Sequence, residues 1–227
     1  SEMCIRDSIM IDSEMKKLWE NSALGCIRCK VKVEESSKEL LQEIDDFSKE
    51  LQNTIQKVPD IPKREEIAAA RRAYRAFGKD PSRYRCSAEA MCRRIVQGKG
   101  LYHINNVVDC GNLFSIRTGY SLGIYDAEKI GEKIIWRVAP EGTCYKGIGK
   151  DEINVEFLPV LEDENGPFGN PTSDSVCTRV TEETTEILAV VFRFSEIAGG
   201  FGTDMMELLE MFQKYCYTGD GDLWVVR

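Results

Sequence analysis

Hydrophobic and polar positions along this chain follow two periods, helical in most of the first half and strand-like in most of the second. Residues 23–33 open with an alternation that predicts a strand, with Cys26, Arg28, Lys30 and Lys32 on one side and Ile27, Cys29, Val31 and Val33 on the other. The spacing then becomes helical. Leu40, Ile44, Phe47, Leu51 and Ile55 recur at three and four residues, behind Ser36 or Ser37 as a cap, and Val58-Pro59-Asp60-Ile61-Pro62 ends that helix. A second helix follows, with Pro62 suited to its first turn, one face formed by Ile67, Ala70, Tyr74 and Phe77, and Gly78 as C-terminal cap. Ser87 opens a short helix stopped by Gly98, and Asn105 or Asn106 caps another that runs to Thr118 before Gly119 breaks it.

Residues 134–138, 153–161 and 187–194 read as strands separated by Gly- and Pro-bearing turns. Thr203 opens a last helix with Met205, Leu208, Leu209 and Phe212 inward, and residues 223–226 form a closing strand. Helices first and strands second, with no βαβ alternation, predict an α+β fold with the helical N-terminal half packed on sheet. Residues 9–227 read as a single domain. Residues 1–8 connect to no periodic pattern and are expected to be an artefactual or disordered leader.

Composition narrows the classes. A chain of 227 residues can bury a substantial core, and it has no apolar run near the roughly 20 residues of a membrane helix, so no membrane partner is expected. Nine cysteines, an odd number without a regular framework, suggest reduced thiols and a cytoplasmic setting. A net charge of −8 argues against non-specific coating of nucleic acid, and no DNA partner is expected. From Lys63 to Lys99, however, basic residues dominate, including Arg83, Arg85, Arg93 and Arg94. This island is either a phosphate-facing surface or a solvated helical face balanced by the acidic helix before it.

Two stretches, residues 84–126 and 170–181, are dense in Gly, small polar residues and turn formers, the composition from which loops make sites. Common catalytic motifs are missing from both. Cys26-x-x-Cys29 lacks the second ligand pair of a zinc site, and residues three apart on a strand point to opposite faces. His103 is the only histidine and has no nucleophile pattern beside it. Gly147-Ile148-Gly149-Lys150 is followed by Asp151, which fails the phosphate-loop test, and Asp220 and Asp222 lack the other ligands of a calcium loop. No metal and no cofactor is expected.

What these stretches do carry is a resemblance. Lys79-Asp80-Pro81-Ser82-Arg83-Tyr84-Arg85, with Ser87-Ala88-Glu89 and Arg93-Arg94, resembles free-standing relatives of the tRNA-editing (B3/B4) domain of the phenylalanyl-tRNA synthetase β chain. Asn106-Val107-Val108-Asp109 with Asn112 is similar to the synthetase's Asn-Val-Val-Asp helix, which has a second Asn three residues on. Tyr120 to Asp126 stands where the synthetase has Gln-Pro-Met-His-Ala-Phe-Asp, and Val180-Thr181-Glu182-Glu183-Thr184 resembles the segment after its Gly-Gly-Glu loop. The likeness covers roughly residues 63–195.

The resemblance implies a mixed or antiparallel β-sandwich of the editing-domain type, with a pocket between the two stretches that receives the 3′ end of a mischarged tRNA. It makes tRNA the expected partner and sets no oligomeric state. Hydrolysis in trans of misacylated tRNA is one expected activity, and a non-catalytic RNA- or small-ligand-binding module is the alternative. The family His falls on Gly123 and the family Glu on Val176, with Asp174 two residues away. Ester hydrolysis needs a placed water, oxyanion donors and a grip on the substrate. Asp174, Ser173, Ser175 and Thr178 are therefore the catalytic candidates, with backbone N–H groups of residues 169–175 as donors. Asn106, Asp109, Asn112, Gly123, Tyr125, Gly169 and Asn170 are substrate-binding candidates, although Asn106 and Asp109 also suit helix capping. Arg83, Arg85, Arg93 and Arg94 are candidates for nucleic-acid contact.

Overall fold

Cys26 and Ile27 are adjacent on a strand and therefore point to opposite faces, yet both are fully buried, so the sheet they belong to is covered on both sides. A computed structural model describes residues 8–196 and 199–227. The central sheet has the order β10-β2-β9-β3, built from β2 (Ala23–Lys30), β3 (Ser121–Asp126), β9 (Glu186–Arg193) and β10 (Gly221–Val226), all pairs antiparallel. Cys29 belongs to the core on one face and Cys26 to the core on the other, so the two thiols of the Cys-x-x-Cys diverge as expected.

Four helices cover the first face: α2 (Lys38–Thr54), α4 (Ser87–Val96), α5 (Asn106–Thr118) and α6 (Phe201–Tyr215). Leu40, Leu113, Phe114, Met205 and Phe212 from these helices share a core with Ile27, Ile187, Ala189 and Val191 of the sheet. The opposite face, with Leu24, Cys26, Leu188, Val190 and Phe192, packs on a second sheet of order β1-β4-β7-β8. Its strands are β1 (Ile9–Ile11), β4 (Ile134–Val138), β7 (Pro159–Asp163) and β8 (Gly166–Gly169), with β1 and β4 parallel and the other pairs antiparallel. Trp136 fills the space between the sheets, its ring 5.6 Å from that of Phe192 and 5.4 Å from that of Phe194. The helices α1 (Ser13–Leu18) and α3 (Glu65–Phe77) close this second core. The fold is the expected α+β: a helical layer on a mixed and antiparallel β-sandwich.

Helix ends follow the sequence signals. Ser37 accepts from the Leu40 N–H at 3.2 Å, Asn105 from the Val108 N–H at 2.9 Å, and Gly78 and Gly119 close α3 and α5 in the left-handed region at φ 89° and 85°. Pro62 is a departure, because it sits inside a 3₁₀ turn, Val58–Lys63, and α3 begins after it. The expected strand 153–161 is two strands, β6 (Glu152–Asn154) and β7, separated by a turn in which Phe157 takes φ 63°. In that turn the Phe157 N–H bonds the Ala139 carbonyl while Val155 bonds Thr143, so the chain changes partners and cannot continue one ladder. β6 instead pairs with β5 (Cys144–Lys146) in a separate hairpin. Of the expected leader, residues 1–7 lie outside the described residues, while the Ser8 carbonyl accepts the Ile134 N–H beside β1.

Asn106 proves to be a cross-link, and the capping role belongs to Asn105. Buried to 1% exposure, Asn106 donates through Nδ2 to the carbonyls of Lys32 and Tyr215, and its Oδ1 accepts from the Glu34 and Val107 N–H groups. It joins the end of β2, the start of α5 and the end of α6. Asn106→Ala leaves several buried partners unpaired and is expected to lower the unfolding free energy by about 3 kcal/mol, read from denaturant midpoints, without changing the secondary structure measured by circular dichroism.

Candidate functional site

The face of α5 that turns toward β3 carries Asn105, Val108, Asn112 and Ser115, spaced three, four and three residues apart and therefore on one stripe. Leu122 and Ile124, alternate residues of β3, lie opposite. Ser87 and Met91, one turn apart on α4, close one side, and Asp174, Arg179, Val180 and Thr181 close the other. Together they enclose a cavity of about 560 Å³, the size of a small-molecule site. Both stretches singled out in the sequence contribute to it. Its rim bears two exposed apolar residues, Ile104 and Ile148, at 64% and 47% exposure.

Asp174 is the one catalytic candidate that reaches the cavity wall. Its Oδ1 accepts the Tyr125 hydroxyl at 2.8 Å and the Asn170 N–H at 3.3 Å, and Oδ2 has no partner among the described residues. Withdrawal from water pushes its carboxyl up to about 7, against the opposing pull of those two donors. Tyr125 is fully buried, and its phenol is pushed well above its ordinary value by burial and by the neighbouring carboxyl.

The glycines on either side explain how that ring fits. A Cβ on Gly123 would stand 1.9 Å from the Tyr125 Oη, and one on Gly169 would stand 2.0 Å from the same atom. Gly123 and Tyr125 both face away from Leu122 and Ile124, so Gly123 shapes the site through Tyr125 and does not line the cavity. Residues 119–126, expected as site-forming loop, are mainly strand.

The remaining candidates divide clearly. Asn112 lines the cavity, and its amide has no hydrogen-bond partner among the described residues. Asp109 is buried and turned elsewhere, accepting from Ser36 Oγ at 2.6 Å and the Ile104 N–H at 3.1 Å, with His103 Nδ1 3.7 Å away. Asn170 organises its own loop: Oδ1 accepts the N–H groups of Thr172 and Ser173, and Nδ2 donates to Tyr145 Oη and the Ser173 carbonyl. Ser175 accepts the Cys177 N–H at the head of a 3₁₀ turn, Val176–Thr178, whose buried Thr178 hydroxyl has no partner. Ser173 Oγ receives Lys150 Nζ at 3.3 Å, outside the cavity lining. The N–H groups of Asn170, Thr172, Ser173 and Ser175 are all engaged within or beside this loop, so they are not the free oxyanion donors expected of residues 169–175.

Among the arginines, Arg85 Nε lies 3.7 Å from the buried Glu89, which Arg71 also holds at 3.0 Å, and Arg83 lies over the Tyr84 ring. Arg93 is half-buried and has no partner among the described residues. Arg94 continues the Ser87–Met91 stripe of α4, donates to the Gly100 carbonyl and stands 4.3 Å over the Tyr102 ring. Sequence reasoning missed Ser87, Ser115 and Arg179. The first two hydroxyls, like Asn112, have no hydrogen-bond partner among the described residues. Helical spacing places Ser115 on one stripe with Asn105 and Asn112, but it does not tell which stripe borders the cavity.

No group of three or more metal-ligating side chains occurs among the described residues, and no described helix is long and apolar enough to cross a membrane. The fold and cavity define an α+β domain with a site between a helical layer and the edge of a β-sandwich. The chain belongs to the B3/4 domain family, which matches residues 69–201, more than half its length. A solved structure to which it is similar is the crystal structure of an N-terminal fragment of the phenylalanyl-tRNA synthetase beta-subunit from Pyrococcus horikoshii. The TM-score is 0.46 and the identity 12%, over 96% of this chain and 50% of that one, so the chain spans half the length of that fragment. No curated protein matches.

Two outcomes follow from the Tyr125–Asp174 contact. Gly123→Ala displaces the phenol and is expected to cost about 2 kcal/mol in denaturant unfolding, with most of the loss recovered in the Gly123→Ala, Tyr125→Ala double variant relative to additivity. In the folded state Asp174 keeps its proton up to about pH 7, so its contribution to stability is complete below the unfolded value of 3.8 and lost as pH rises toward about 7. Asp174→Asn is expected to remove that decline, which denaturant midpoints measured between about pH 5 and pH 8 will show as a flatter profile than wild type.

Proposed function

We propose that this chain binds the charged 3′ end of a tRNA and hydrolyses a wrongly attached amino acid. The observation that carries this reading is the Asp174 carboxyl, held in the wall of an aliphatic cavity with one oxygen unpartnered and its proton affinity raised to about 7. A carboxyl with that affinity is a competent general base near neutral pH. It takes a proton from water as the water attacks the ester carbonyl. The bond to the ribose oxygen then breaks, the ribose hydroxyl leaves with that proton, and the free amino acid is released.

The other groups in the cavity fit the same substrate. Asn112 and Ser115 offer unengaged donors for the developing oxyanion, one turn apart on α5. Leu122, Ile124, Val108 and Met91 suit an apolar side chain, and the exposed carboxylates Glu35 and Glu182, neither in an ion pair among the described residues, suit an α-ammonium. Membership of the B3/4 family supports tRNA as the carrier of the ester.

Recognition without turnover is the second reading. Gly123 favours it, because the position where the resembled family has a histidine is occupied here by a glycine packed under Tyr125. A panel of mischarged tRNAs, beginning with tyrosyl-tRNA(Phe), separates the two. Wild type is expected to deacylate at least one member, with a rate that rises through about pH 7 as Asp174 loses its proton, and Asp174→Asn to be slower by roughly 100-fold with binding retained. Binding by both proteins with no turnover by either supports recognition alone.

A further inference from the structure

We propose that the recess beside the cavity, lined by Lys146, Lys150 and Arg179, holds the phosphodiester backbone of a single-stranded RNA end whose terminal residue enters the cavity. This rests on the reading of the cavity as the site of an RNA-borne ester. The recess has a volume of about 500 Å³ and is more open than the cavity; its remaining lining residues are Gly147, Gly149, Asp151 and Val176. Arg179 lines both spaces.

The wall between the two is one piece of backbone pairing. Gly147 forms a β-bridge with Ser175, and the Ile148 N–H donates to the Asp174 carbonyl at 3.2 Å. Ile148 lines the cavity while its neighbours Gly147 and Gly149 line the recess. A chain lying in the recess is therefore separated from Asp174 by one isolated bridge and the turn that follows it, about 5 Å at the spacing of paired backbones. The Gly-Ile-Gly-Lys segment, which fails as a nucleotide-binding loop because Asp151 follows the lysine, thereby acquires a role.

Charge makes the recess unusual in a chain of net charge −8. Lys146, Lys150 and Arg179 are all exposed, and none forms an ion pair among the described residues; Lys150 reaches only the Ser173 hydroxyl, and Asp151 is the one acidic side chain in the lining. Other cations are held by the protein itself, as Arg71 and Arg85 are by Glu89 and Arg137 is by Glu162, and those without an ion pair, such as Arg93, do not line the recess. Three uncommitted cations around two small glycines form a surface on which phosphates are neutralised and backbone can approach closely. RNA is favoured over a free phosphate because the recess is an open trough that shares Arg179 with the cavity and does not wrap a single anion.

The test uses the full chain and the Lys146→Gln, Lys150→Gln double variant, both of which keep every residue of the cavity. Two probes are titrated at two salt concentrations. One is a single-stranded RNA trinucleotide carrying a non-hydrolysable 3′-aminoacyl amide, and the other is the same aminoacyl amide on adenosine, without phosphates. The trinucleotide is expected to bind the wild type more tightly and with a salt dependence. In the double variant its affinity falls by roughly 10-fold, and the slope of log affinity against log salt falls by about 1.4, the loss of two single-strand phosphate contacts. The phosphate-free probe binds both proteins equally. If the double variant binds the trinucleotide with unchanged affinity and slope, the recess is not the track, while binding of the phosphate-free probe still upholds the cavity. If adenosine monophosphate competes as well as the trinucleotide, the recess takes a free phosphate and the RNA assignment is overturned. A protein that binds neither probe overturns both the recess and the cavity reading.

Discussion

The hydrogen bond from the Tyr125 hydroxyl to Asp174 is the constraint on which the geometry of the site depends. It joins the edge strand of the central sheet to the loop that follows the second sheet, and it exists only because two backbone positions lack side chains. Gly123 on β3 and Gly169 at the end of β8 leave the space that the phenol occupies. The ring also stands edge-on to Phe168, 5.0 Å away, so its position is set from the apolar side as well. Asp174, bonded to the phenol through Oδ1, lines the cavity with its carboxyl withdrawn from water. The Tyr125–Arg179 bridge is a second, backbone contact between this segment and the sheet.

The rest of the loop is built so that this one carboxyl is available while its neighbours are not. Asn170 gathers the N–H groups of Thr172 and Ser173 and donates to Tyr145, and the Thr172 hydroxyl reaches Tyr74 and the Tyr84 carbonyl. A loop whose polar groups are satisfied internally is rigid, as the base in the proposed hydrolysis has to be. The same satisfaction takes its N–H groups out of the proposed oxyanion binding and leaves Asn112 and Ser115 on α5, which have no hydrogen-bond partner among the described residues, as the proposed donors.

Much of the fold was legible in the sequence because it rests on short-range signals. Ser37, Asn105, Gly78 and Gly119 act locally, and the three-and-four spacing of Leu40, Ile44 and Leu51 reports a face buried against any partner. The break between Asn154 and Pro159 was not legible, because the turn at Phe157 is imposed by pairing with Ala139 and Thr143, which are distant in the chain. The strands of three or four residues at Ile9–Ile11 and Gly166–Gly169 are too short to show a period. In the site, Asp174 and Asn112 were identifiable as polar residues in the two stretches that meet. Ser115 and Arg179 were not, since nothing in a single sequence tells which stripe of a helix covered on most sides borders a cavity, or which arginine lacks a carboxylate in the fold. Gly123 was read as a lost polar group, whereas its role is steric and depends on a ring two residues away.

The central claim is that Asp174 is a cavity-facing carboxyl titrating near neutrality and in contact with an aminoacyl ligand. Carbon-13 NMR of the Asp174 carboxyl across pH, with and without a non-hydrolysable aminoacyl amide of adenosine, tests it directly. The account predicts a midpoint near 7 in the free protein that moves when the analogue is added. A midpoint at the ordinary value of 3.8, unmoved by the analogue, would contradict it.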